Sequence, residues 1–149
     1  MISATKKIYL LFFVLLANVF AQSTLEQQFE FANQLIIQGK YFDAITEFKR
    51  LQFFDVENKF SFQSNLLIGK CYKVGAKFDE AIKYFTLSEM NSENADDYFM
   101  SKIFNARTNI LRRSTKQSEK ILNELLNDAR FIYKKKEIKY WLGWNHIFA

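Results

Sequence analysis

The feature that most constrains this 149-residue chain is that it repeats itself with an offset of 37 positions. Gly39-Lys40-Tyr41-Phe42-Asp43-Ala44-Ile45-Thr46-Glu47-Phe48 aligns with Ala76-Lys77-Phe78-Asp79-Glu80-Ala81-Ile82-Lys83-Tyr84-Phe85. A small residue, Lys, an aromatic, an acid, Ala, Ile and Phe all recur. Carried along the chain, the same offset puts Ala32, Gly69, Ala106 and Gly143 in one register. Ala44, Ala81 and Ser118 share a second register, and Phe48, Phe85 and Leu122 a third. Self-similarity at a fixed period of this length marks a stacked repeat array. The first two copies are clear, the third is degraded and a fourth is half present.

Each unit reads as a pair of helices. Thr24 and Gln27 have the spacing of a capping box, ahead of an apolar stripe of Phe31, Leu35 and Ile36. Gly39 ends that helix at a turn. Ala44, Ile45, Phe48 and Leu51 then recur at i, i+1, i+4 and i+7, the face of a second helix. Antiparallel helices approach closely only where side chains are short, so Ala32 is expected to face Ala44, and Gly69 to face Ala81. Tyr41, Phe48, Phe78 and Phe85 fill the wider gaps. No strand-like alternation competes, and the chain has no proline to break a helix.

The spacing small–x2–apolar–x3–Gly–x–aromatic–x2–Ala–x3–Phe resembles the tetratricopeptide repeat (TPR). Here it is Ala32, Leu35, Gly39, Tyr41, Ala44 and Phe48, then Gly69, Tyr72, Ala76, Phe78, Ala81 and Phe85. A third copy keeps the expected residue types only at Ala106, Ser118 and Leu122, with Asn109, Arg113 and Thr115 departing from them. The resemblance implies an all-α, right-handed solenoid of helical hairpins. Its repeats fall near 25–61, 62–98 and 99–135, and a half repeat over 136–149 forms a terminal helix without its second helix. The period exceeds the family's 34 residues, so the connections between repeats are expected to be longer. Leu51 and Leu125 are larger than the family's usual small residue.

In that family the first helix of each repeat lines a concave groove for an extended or helical peptide. The corresponding positions are Phe29, Asn33, Ile36, Leu66, Lys70, Lys73, Met100, Ile103, Arg107, Ile110, Tyr140 and Trp144. They make a mostly apolar stripe with a polar line of Asn33, Lys70 and Arg107. The competing expectation is that Phe29, Leu66, Ile103 and Ile110 only complete the solenoid core. Phe29 stands where the family's clamp for C-terminal carboxylates carries a Lys, so that clamp is not expected.

Little in the sequence supports catalysis, a cofactor or a metal. One Cys and one His exclude a disulfide framework and a Cys/His zinc site. Cys71 and His146 lie about two repeats apart, and Cys71 reads as a packing residue. No nucleophile elbow or HExxH spacing appears, and four glycines in all cannot build a phosphate loop. Arg112-Arg113 and Lys134-Lys135-Lys136 read as solvated helix ends, where cations are favoured by the dipole. An anionic surface is the alternative ligand for them.

Residues 1–21 read as a secretory signal peptide. Lys6 and Lys7 form a positive start, residues 8–16 an apolar run, and Val19-Phe20-Ala21 a cleavage site before Gln22. Residues 8–21 would make a helix of roughly 21 Å, short of a hydrocarbon core of roughly 30 Å. An uncleaved membrane anchor is the alternative. Removing the leader lowers the net charge of +5 by two, a weak basis for nucleic-acid binding. The expectation is a periplasmic or secreted, non-catalytic scaffold that binds a protein or peptide partner in an envelope complex. A non-catalytic segment of a larger exported enzyme or receptor is the alternative, as is a binder of anionic envelope surfaces. The apolar residues of 136–149 add the expectation of self-association.

Overall fold

A computed structural model describes residues 24–149, and the leader read over 1–21 lies outside the described residues. Helix α1 covers 24–37, followed by α2 Tyr41–Phe54, α3 Ser61–Val74 and α4 Phe78–Met90. Next come α5 Ala95–Leu111, α6 Thr115–Asn127, a 3-10 segment Ala129–Lys134 and α7 Lys135–Phe148. No strand occurs among the described residues. Consecutive helices pack against each other, and α5 also touches both α3 and α7. The architecture is an all-α solenoid of helical hairpins closed by a last helix, with α3, α5 and α7 side by side in one layer.

The turn inside each hairpin is one device used three times. Gly39 (φ 75°), Ala76 (φ 56°) and Arg113 (φ 64°) all adopt the left-handed region. In each case the next residue donates its N–H to a carbonyl five residues back. These are Lys40 to Leu35, Lys77 to Tyr72 and Ser114 to Asn109, all at 2.9 Å. The bond satisfies a carbonyl that the helix end leaves unpaired. Glycine reaches this conformation freely, whereas Ala76 and Arg113 each carry a cost of roughly 1–2 kcal/mol. The third repeat is degraded in sequence but not in its turn.

The connections between hairpins are pinned by side-chain caps. Asp55 is buried, and its carboxylate accepts from the N–H groups of Lys59 (3.0 Å) and Phe60 (2.7 Å). Asn94 accepts from the N–H of Asp97 at 2.9 Å, capping α5. Asp128 accepts from the N–H of Arg130 at 2.9 Å and opens the 3-10 segment. That segment inserts the fully buried Phe131 into the last core.

Three apolar clusters run along the solenoid. The first joins α1, α2 and α3 through Ala32, Ala44, Phe48, Leu51 and Ile68. The second holds Phe62, Leu66, Ala81 and Phe85 between α3 and α4, and the third Ala106, Leu122, Leu125 and Ile138 across α5, α6 and α7. The pattern sets Gly69 opposite Ala81 on the contact between α3 and α4, and there the space that a side chain on Gly69 would take is filled by Phe85. Its Cε1 lies 2.6 Å from where a Cβ on Gly69 would sit. Phe85 is fully buried and needs that notch, because its ring also stacks on Phe104 with centroids 5.5 Å apart. Polar contacts set the register between repeats. Gln52 donates to Ser64 Oγ (3.0 Å) and Asn65 Oδ1 (2.8 Å), while buried Ser101 donates to Ser88 Oγ (2.9 Å).

Candidate functional site

The layer of α3, α5 and α7 opens into a cleft of about 280 Å³, lined by Lys73, Arg107, Ile110, Leu111, Tyr140, Trp141, Trp144 and Phe148. On α7, Tyr140, Trp141, Trp144 and Phe148 follow at i, i+1, i+4 and i+8, so one face of the helix carries all four rings. Their contacts run along the helix: Tyr140 to Trp141 (5.0 Å between centroids), Tyr140 to Trp144 (6.4 Å) and Trp144 to Phe148 (5.8 Å). Arg107 forms the opposite wall, its guanidinium carbon 4.2 Å from the Trp141 centroid. Arg113, from the last hairpin turn, lies 4.4 Å from the Phe148 ring.

Beside the cleft, Phe104 is ringed by cations. Lys70 Nζ lies 4.7 Å from its centroid, Lys73 Nζ 5.0 Å and the Arg107 guanidinium carbon 5.2 Å. All three cations are half-buried. Burial and the repulsion of Arg107 hold the Lys70 and Lys73 ammonium groups below the usual lysine value.

The twelve groove positions thus divide. Lys73, Arg107, Ile110, Tyr140 and Trp144 meet at the cleft, with Lys70 next to them across Phe104. Leu66 and Ile103 are buried in the cores. Phe29 and Ile36 pack against the first core, Phe29 stacking on Phe60 with centroids 5.2 Å apart. Asn33 is half-buried and Met100 exposed, and neither lines the cleft. Phe104 and Trp141 escaped the groove pattern. They share one register, 37 positions apart and one residue past Ile103 and Tyr140, with Leu67 preceding them. Leu111 and Phe148 are likewise 37 apart. The offset links Phe104 to Trp141 and Phe148 back to Leu111, a pairing that the groove positions alone do not use.

Arg112-Arg113 closes α5, the end where the helix dipole favours cations, but Lys134-Lys135-Lys136 opens α7, the end where it does not. Arg112, Arg113 and Lys134 have partners within the fold. Arg112 pairs with Asp79 and donates to Asn109 Oδ1 at 3.1 Å. Lys134 lies 5.2 Å from the Phe99 ring. Cys71 is buried, and desolvation pushes its thiol up to about 11 despite the opposing pull of Lys70. His146 is exposed. Among the described residues no helix is long and apolar enough to cross a membrane.

No protein-family model matches the chain, and no curated protein matches it. Among solved structures, the type III secretion chaperone SycD of Yersinia enterocolitica, in complex with a peptide of the translocator YopD, superposes with a TM-score of 0.66. Identity is 19%, over 84% of this chain and 94% of that one. At that identity the likeness is one of fold. The chain is a TPR-like helical solenoid.

Proposed function

We propose that this chain is a non-catalytic binding module that takes a peptide segment of a partner protein on the face built by α3, α5 and α7. The observation that carries the reading is the aromatic cleft. Tyr140 and Trp144 remain 57% and 39% exposed there, in a concave site whose lining is mostly apolar with two cations at its edge. Such a lining suits grip on a side chain rather than proton transfer. The complex of the SycD structure with a translocator peptide supports the same kind of partner for this fold. The leader read over 1–21 supplies the setting: export, cleavage before Gln22, and assembly into an envelope complex. Intact-mass measurement of the exported protein tests that part, and retention of the leader's mass would place the chain on a membrane anchor instead.

Binding is tested by immobilising the protein, exposing it to envelope extract, and repeating the capture with two variants. Trp144→Ala removes a cleft wall, while Ile132→Ala removes an exposed side chain that does not line the cleft. A partner lost with Trp144→Ala and kept with Ile132→Ala is the expected result. Capture that ignores Trp144→Ala would sink the cleft as the binding site. The same surface, with Ile147 72% exposed beside it, also suits weak self-association of two copies. Light scattering across a concentration series tests that state, and a partner peptide should dissociate it.

A further inference from the structure

Around Phe104 the charges do not balance. Lys70, Lys73 and Arg107 come from two helices to within 5.2 Å of one ring centroid. Among the described residues no carboxylate lies within 4.0 Å of any of the three. Lys102 shows how the fold treats a cation that it keeps from water for its own purposes. Glu89 stands 3.2 Å from its ammonium group and Glu124 3.3 Å. A ring face offsets part of the charge of a cation above it, but one ring cannot neutralise three. Like charges held together and half out of water raise the energy of the free protein, and an arriving anion would lower it.

The geometry also limits the anion. Three cations converge on a target the size of one or two carboxylates, unlike the extended track that a nucleic-acid backbone requires. Their half-buried setting between two repeats suits an inserted side chain better than the plane of lipid headgroups. Lys73 and Arg107 belong to the cleft as well as to the cluster, so the anion and the group filling the cleft are neighbours. A cleft of about 280 Å³ accepts a bulky side chain rather than a whole cofactor.

Resting on the peptide-binding reading above, we infer that the partner segment is acidic, with a bulky apolar side chain for the aromatic cleft and carboxylates within about two residues of it for Lys70, Lys73 and Arg107. The occupant is a protein segment and its acids are part of what is recognised.

The test uses the two tryptophans, Trp141 and Trp144, which are the only ones in the chain and both line the cleft. Their emission is followed while two synthetic decapeptides are titrated into the purified protein. One carries Leu-Phe flanked by two acids on each side, and its twin replaces every acid by the corresponding amide. The acidic peptide should bind about tenfold or more tightly than its twin, and the preference should shrink as salt rises from about 50 to about 500 mM. Lys73→Gln and Arg107→Gln keep most of each side chain's bulk and should erase the preference without changing the circular dichroism. Equal affinity for the two peptides overturns the acid requirement while leaving peptide binding intact. No response to either peptide overturns both. Tighter, Arg107-dependent binding of phosphatidylglycerol vesicles or of a single-stranded oligonucleotide overturns the choice of a protein segment.

Discussion

The ring of Phe85 lies 2.6 Å from where a Cβ on Gly69 would sit, so α3 and α4 close on each other only because residue 69 has no side chain. The obstacle is the body of a buried ring, not the end of a flexible chain. Gly69→Ala should therefore cost roughly 1–3 kcal/mol through overpacking and lower the melting temperature. Gly143 shares its register in the repeat, yet nothing lies within 4 Å of its missing Cβ. Gly143→Ala should stabilise by roughly 0.5–1 kcal/mol, through backbone entropy alone. Opposite shifts in a thermal melt are expected, and equal shifts would refute the notch.

The left-handed turns make a second set of predictions. Gly39→Ala should destabilise by about 1 kcal/mol, since a Cβ there meets no atom within 4 Å and only the backbone conformation resists it. Ala76→Gly and Arg113→Gly should stabilise by a similar amount, because each relieves a residue at φ 56° or 64°. Urea midpoints measure all three. For Arg113→Gly the gain is partly offset by the lost contact with Phe148.

Ala44 and Ala81 have no exposed surface and lie at helix contacts in the first two hairpins. Ala44→Leu and Ala81→Leu should each lower stability by roughly 1–3 kcal/mol, whereas Lys40→Leu, at an exposed turn position, should change it little. Equal tolerance at the three positions would mean that the 37-residue register is wrong.

Cys71 provides a pH-dependent probe. Burial lifts its thiol from an ordinary value near 9 up to about 11. At pH 8 the native protein should react with iodoacetamide far more slowly than the urea-unfolded chain. The linkage has a definite sign. Between pH 9 and 11 the unfolded state gives up a proton that the native state keeps. The contribution of this group is complete below pH 9 and is lost as pH rises toward 11, so Cys71→Ser should flatten that part of the pH–stability profile.

The 37-residue offset was enough to infer stacked helical hairpins, because close helix contacts demand small residues at fixed intervals and periodicity along one chain records them. Ala32, Ala44 and Ala81 are buried as that logic requires. The offset could not reveal that Arg113 keeps the turn of Gly39, since the left-handed conformation there is imposed by a helix-end hydrogen bond and tolerated at a cost. Nor could it find Phe131, which reaches the last core from a 3-10 segment outside both helices of its repeat. The candidate site was half legible. Lys73, Arg107, Tyr140 and Trp144 follow from groove spacing, while Phe104 and Trp141 matter only because α3, α5 and α7 come together in space. Local pattern determines which face of each helix is buried. Contact between repeats, carried by residues about one period apart in the chain, decides which cations converge on one ring.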